Sequence, residues 1–305
     1  MAKWFGDVLV ELARRDPRIC GVSCDCWGFL GALAAEFPER AVEVGIAEQN
    51  LIGVAAGLAA RGKTPFAIGM NPFVTMRCFE QIRTDVGYGC RNVKVIGGYG
   101  GGIVYAGWGC THHAMEEMAL MRLVPTMTVV MPADAYETEM ATRAAAATEG
   151  PFYISLSGAT MAFMPPEAQR TFEVGKAVTL REGSDVTIVA VGPTLPDAMK
   201  AAEILAPKGV SARVLNMHTV KPADREAILA AANQTRLIVT IEEHTVIGGL
   251  GGAVGDVLAE AGAGTPLKRL GLQDVFACMV GRYEDVRERF GISAEAVVEA
   301  VMGQA

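Results

Sequence analysis

Apolar positions along the chain follow two alternating periods. Trp4, Phe5, Val8, Leu9 and Leu12 fall on one face of a helix over 4–14 that stops before Asp16-Pro17, since i, i+3, i+4 and i+7 share one side of a 3.6-residue repeat. Short apolar runs predict strands at 19–23, 41–44, 63–68, 93–96, 127–131 and 152–155, with helices over 47–60, the end of 71–84 and the alanine-rich 134–148 between them. Residues 161–185 break this rhythm with Pro165-Pro166 and scattered charge, as an interdomain linker does. The alternation then resumes, with strands at 186–191, 211–215, 237–241 and 267–270 and helices at 195–205, 223–232, 251–261 and 294–302. The expectation is an α/β chain of two tandem domains, each a mostly parallel sheet flanked by helices. The expected boundaries are a first domain over 1–162, a linker over 163–185 and a second domain over 186–305.

Composition narrows the class. The 305 residues are 51% apolar and 20% charged, enough for large cores and too apolar for disorder. The net charge of −7 is spread without basic stripes or long like-charge runs, so no nucleic-acid partner is expected. No uninterrupted apolar run reaches spanning length and the N-terminus lacks a signal layout, so no membrane association is expected and the cytoplasm is the expected compartment. Seven cysteines are an odd number for a disulfide framework. Cys20, Cys24 and Cys26 lack paired Cys-x-x-Cys units, and no metal site is expected there.

The most informative stretch is Gly45-Ile46-Ala47-Glu48-Gln49-Asn50, which opens the helix over 47–60. Leu51, Val54, Ala55 and Leu58 make its apolar face, and its other faces carry mostly Ala and Gly, so it should pack on several sides. Glu48 is the one acid in its first turn. It could serve as a cap partner. Alternatively, an acid held in a low-dielectric pocket could share a proton with a ligand nitrogen. Gly97–Gly102 and Gly248–Gly252 are two glycine runs; neither has the full dinucleotide fingerprint, and both could be tight-turn devices.

The wording around Glu48, followed by Ala55-Ala56-Gly57-Leu58-Ala59, resembles the cofactor-activating segment of transketolases and deoxyxylulose phosphate synthases. Phe73-x-x-x-Arg77 with Glu80-Gln81-Ile82-Arg83, Thr111-His112, Pro132-Ala133-Asp134 and the run from Glu242 to Gly251 are similar to later landmarks of that family, and the resemblance spans nearly the whole chain. It implies thiamine diphosphate as cofactor, with Glu48 bonding its pyrimidine ring. Phe73 would stack on that ring, although the ring could equally be core. Asp25, Arg77 and Gln81 would lie near the cofactor, and His112 would reach the substrate oxygen. It also implies a two-carbon ketol transfer from a ketose to an aldehyde.

The chain contains no Gly-Asp-Gly, the signature that holds magnesium and the diphosphate in full-length members. A diphosphate needs a cation and oxygen ligands. The chain therefore resembles the C-terminal half of a split transketolase, with Mg²⁺ or Ca²⁺ held by an N-terminal partner subunit in an α2β2 assembly. Four substrate-pocket positions depart from the family pattern: Phe29, Gly100, Trp108 and Gly158 stand where polar or charged groups are expected. An Arg clamp on phosphate is a strong contact, so its loss implies an acceptor other than an ordinary pentose phosphate. Three other readings stay open: the beta subunit of a 2-oxo acid dehydrogenase, a catalytically degenerate scaffold, and metal binding by His112, His113, Glu116 and Glu117.

Overall fold

The computed structural model describes residues 2–156 and 171–303. Helix α1 (Ala2–Arg15) leads into strand β1 (Ile19–Ser23), helix α2 (Gly31–Glu36) and strand β2 (Ala41–Glu43). Helix α3 (Glu48–Ala60), strand β3 (Thr64–Met70), helices α4 (Asn71–Met76) and α5 (Phe79–Gln81), and strand β4 (Lys94–Gly98) follow. The first half closes with α6 (Glu117–Leu123), β5 (Thr128–Val130), α7 (Ala135–Ala147) and β6 (Phe152–Ser155). The second half runs β7 (Val178–Arg181), β8 (Val186–Ala190), α8 (Leu195–Leu205), β9 (Ala212–Asn216), β10 (Thr219–Lys221), α9 (Arg225–Gln234), β11 (Ile238–Thr245), α10 (Leu250–Glu260), β12 (Leu267–Leu272), α11 (Tyr283–Arg289) and α12 (Ala294–Met302).

These strands form two sheets, ordered β10-β5-β6-β4-β3-β1-β2 and β12-β11-β8-β9-β7. Their pairings are parallel except those of the two edge strands β10 and β7. The inner strands are buried on both faces, as helices covering both sides require. On one face of the first sheet Phe5, Leu9, Phe29, Phe66 and Ile154 pack together. The core on the other face continues from Leu51, Ile52 and Val95 through Met118 and Met131 into Val189, Leu215 and Leu250 of the second half. The two halves therefore share one core.

Three expectations need correction. The stretch read as linker contains β7, which pairs antiparallel with β9; at four residues it is too short to show a period. Strand β10 belongs by sequence to the second half yet pairs with β5 of the first sheet, Thr219 opposite Val130. Helix α3 buries Leu51, Ile52, Ala55 and Ala56, but Gln49, Asn50, Gly53, Gly57 and Ala60 are exposed. A Cβ added at Gly53 or Gly57 would meet nothing within 4 Å. Among the described residues of this single chain, the helix is covered on one side only.

The single helix expected late in 71–84 is broken in two. Pro72 sits in the first turn of α4, where its missing N–H costs nothing. Thr75 Oγ1 bonds back to the Asn71 carbonyl oxygen at 2.7 Å, and α5 continues into a π-helical stretch, Ile82–Tyr88. Such widened turns are frequent at functional sites.

Candidate active site

Strands β1, β3 and β4 run parallel, so the segments that follow them meet at one edge of the sheet, where parallel sheets bind ligands. The segment between β2 and α3 reaches the same edge. The Ala47 N–H donates to Cys24 Sγ at 3.3 Å, tying the start of α3 to the loop after β1. Glu48 is thereby set at the first residue of α3 and is only 6% exposed. Its Oε1 accepts from Arg77 Nη1 at 3.1 Å, and the Cys24 thiol lies beside it on the loop tied to the start of the same helix. Burial pushes that thiol up to about 11, so it stays protonated.

Helix α4 brings Phe73 and Arg77 to the same place, because residues four apart share a helix face. The Arg77 guanidinium lies 3.8 Å from the centre of the Phe73 ring, while its side chain remains half exposed. Gln49 Nε2 donates to the Arg77 carbonyl oxygen at 3.3 Å. Ile46, Ala47, Glu48, Gln49, Asn50 and Arg77 line an open recess of about 470 Å³. His112 arrives from the loop after β4. Its ring meets Phe73 edge-on at 5.3 Å and Trp108 at 4.9 Å, and Trp108 in turn meets Tyr105 at 5.7 Å. Thr111 Oγ1 sits 3.0 Å from His112 Nδ1, which leaves Nε2 as the nitrogen free for another partner. Trp108 is 62% exposed, an apolar wall facing solvent.

Glu48, Phe73, Arg77, His112 and Trp108 thus come together. The other expected residues, where described, make their contacts elsewhere. Asp25 is exposed in the loop after β1, where its backbone N–H donates to Glu43 Oε1 at 3.0 Å. Gln81 is half-buried, its Nε2 bonded to Glu80 at 3.2 Å. Phe29 is corrected from pocket to core: it is 2% exposed, edge-on to Phe5 at 6.1 Å and to Tyr99 at 4.9 Å. A short 3₁₀ turn, Trp27–Phe29, swings its ring inward. Gly100 is buried with φ of +104°, and a Cβ there would lie 2.6 Å from Val104; Val104 fills the space a side chain would need. Gly158 lies outside the described residues. Tyr105 and Gln49 were not expected at the site, although Gln49 directly follows Glu48 and Tyr105 lies in the loop that carries Thr111-His112.

Neither glycine run cradles a phosphate. A Cβ at Gly101 would fall 1.9 Å from Glu117 Oε1, so that run exists for close approach to a buried acid. At the second run the helix N-terminus is already taken by a side-chain carboxyl group: the N–H groups of Leu250 and Gly251 donate to Glu242 at 2.6 and 2.8 Å. The metal reading of the His-Glu cluster fails on direction. Glu117 is buried among Asn71, Tyr153 and Ser155, away from His112. Among the described residues no three His, Cys, Asp or Glu side chains converge on a metal site.

The residues fit a pyrimidine. A planar, nitrogen-bearing group already stacks on Phe73 and donates to Glu48: the Arg77 guanidinium. An aminopyrimidine asks for the same two contacts. Such a seat at the edge of a parallel sheet is what the pyrimidine-binding half of a thiamine-dependent enzyme requires. Sequence comparison narrows the class. Residues 1–161 match the transketolase pyrimidine binding domain and residues 175–297 the transketolase C-terminal domain. The chain belongs to the transketolase family, whose members depend on thiamine diphosphate.

Among its relatives, the 6-deoxy-6-sulfo-D-fructose transketolase subunit SqwH of Clostridium sp. (strain MSTE9) is 42% identical, covering 97% of this chain and 91% of the relative. One subunit of the apulose-4-phosphate transketolase of Phocaeicola vulgatus is 37% identical, over 98% and 96%. A solved split-gene transketolase, an inactive beta4 tetramer, superposes with a TM-score of 0.90 at 40% identity, over 99% and 96%. The chain is the C-terminal subunit of a split transketolase, a ketol-transferring enzyme that works with a partner subunit. The 2-oxo acid dehydrogenase reading finds no support in these matches. Among the described residues no helix is long and apolar enough to cross a membrane.

Proposed function

We propose that this subunit and an N-terminal partner form an α2β2 enzyme that moves a two-carbon ketol unit from a ketose to an aldehyde other than an ordinary pentose phosphate. The single observation that carries this reading is the Glu48–Phe73–His112 arrangement, one carboxylate and one ring face joined by the Arg77 guanidinium, with one imidazole edge-on to that ring. Thiamine diphosphate, when bound, supplies the carbon nucleophile for cleaving and remaking the carbon–carbon bond. Glu48 would hold the pyrimidine nitrogen N1′, and its burial strengthens that bond by excluding water. Phe73 would hold the ring face. His112 would donate from Nε2 to an oxygen of the sugar. The diphosphate and its Mg²⁺ or Ca²⁺ would be held by the partner, since this chain has no Gly-Asp-Gly.

The exposed Trp108 beside His112 supports an acceptor pocket less polar than a sugar-phosphate clamp. So do relatives named for a sulfofructose and for apulose 4-phosphate. The seven free cysteines suit a reducing cytoplasm. Co-expression with a partner carrying Gly-Asp-Gly, followed by a thiamine-dependent assay over a panel of ketoses and aldehydes, tests the reading. The expected result is turnover only by the pair, with ribose 5-phosphate a poor acceptor. Full activity from the isolated subunit, or efficient use of ribose 5-phosphate, would overturn it.

A further inference from the structure

We infer that Arg77 occupies the pyrimidine's seat in the isolated subunit and is displaced when the cofactor binds. The inference rests on the pyrimidine-site reading and adds a role for Arg77 that the reading does not require. Its basis is geometric. The guanidinium is planar, sits 3.8 Å from the Phe73 ring centre and donates from Nη1 to Glu48 Oε1 at 3.1 Å. A guanidinium stacks on aromatic faces and forks onto carboxylates, so it reproduces both contacts that an aminopyrimidine makes. Two planar groups cannot cover the same ring face and meet the same carboxylate edge together.

The arrangement also solves a problem of the unpartnered chain. Glu48 is 6% exposed, and a carboxylate buried without a partner is costly. Arg77 satisfies it from a side chain that is itself 50% exposed. Such a cation can leave toward solvent with little desolvation to regain and no core to disturb. The backbone at Arg77 is fixed separately, its carbonyl oxygen accepting from Gln49 Nε2 and its N–H donating to the Phe73 carbonyl oxygen. The side chain can therefore swing on a held pivot. Arg77 acts here as a positioning residue: it keeps Glu48 and Phe73 arranged for a planar ligand and sets how tightly that ligand must bind to replace it.

The test measures thiamine diphosphate affinity of the reconstituted complex by quenching of intrinsic fluorescence, for wild type and Arg77→Ala. Losing the competing cation–π contact and exposed ion pair should tighten binding about fivefold to tenfold. Millimolar guanidinium chloride, compared with equal sodium chloride, should weaken cofactor binding to Arg77→Ala, because the small cation re-enters the vacated seat. It should leave wild type unchanged, since the seat is filled from within. A purely structural role would not produce that selective competition. Weaker cofactor binding by Arg77→Ala than by wild type, or no guanidinium effect on the variant, overturns the displacement while leaving the pyrimidine site standing. Absence of cofactor binding by either complex removes the site reading and the displacement with it.

Discussion

The two halves are built alike, yet their acids are treated in opposite ways. At the end of β11 in the second half, Glu242 and Glu243 are buried and saturated. Glu242 takes two backbone N–H groups at the start of α10. Glu243 pairs with Arg287 Nε at 2.6 Å, accepts from Tyr283 Oη, and receives the Ile103 N–H at 3.3 Å across the domain boundary. Every partner there is a backbone N–H or a side chain largely withdrawn from solvent. In the first half, Glu48 is nearly as buried but faces a recess, and its cationic partner is a half-exposed arginine. The same residue type at the same kind of sheet edge is a rivet in one half and an open valence in the other. Accessibility of the partner, more than burial of the acid, separates the two.

The contrast can be broken most sharply at Glu48. Glu48→Gln keeps the size of the side chain, so stability to denaturant should change little. Turnover with the partner should fall by on the order of 10²–10⁴-fold. Near-normal turnover would place Glu48 with the rivets. The reciprocal change, Glu243→Ala, leaves Arg287 buried with less countercharge and should lower unfolding free energy by about 3–5 kcal/mol in a urea titration. A loss below about 0.5 kcal/mol, the range of ordinary surface changes, would deny Glu243 its structural role.

Proton linkage sharpens the comparison further. Burial raises Glu242 from 4.5 to about 7 in the folded chain. The folded state then binds a proton that the unfolded state has released between those values. Glu242 therefore contributes stability that is present at low pH and is lost as pH rises through about 7. At about 1.4 kcal/mol per unit, the loss is up to about 3 kcal/mol. His218 and His244, lowered by burial to about 4, act in the opposite direction up to about pH 6.5, so the Glu242 contribution is read as a difference. The urea midpoint of wild type minus that of Glu242→Gln should fall from pH 5 to 8, and a constant difference would refute this. The smallest effect is expected at Phe73. Phe73→Leu keeps an apolar surface but loses the stacking face, so thiamine diphosphate affinity should drop about 2- to 10-fold. Unchanged affinity would assign Phe73 to packing alone.

Much of this was readable in the sequence. The helical period around Leu51 and Ala55 located α3, and its lone first-turn acid marked the site. The four-residue spacing of Phe73 and Arg77 implied a shared face, and His112 followed from its Thr-His wording. Phe29 was misread because counting along a loop says nothing of direction: a single 3₁₀ turn decides whether a ring faces a cleft or a core. Gly100 was legible as a glycine, but its reason, Val104 packed where a side chain would go, is a contact between non-neighbours. The exposed side of α3 escaped as well. Small residues read as tight packing, and only the folded chain shows that none of its described residues lies against Gly53 and Gly57.

Strand β10 has a consequence for anyone dividing the molecule. Because Thr219–Lys221 caps β5, cutting after the first family domain would strip that border and bare the backbone of Val129 and Val130, both fully buried here. An uncovered, apolar border strand invites pairing with a neighbouring molecule, so the truncated fragment should clump, and any useful dissection must carry β10 along or graft a replacement.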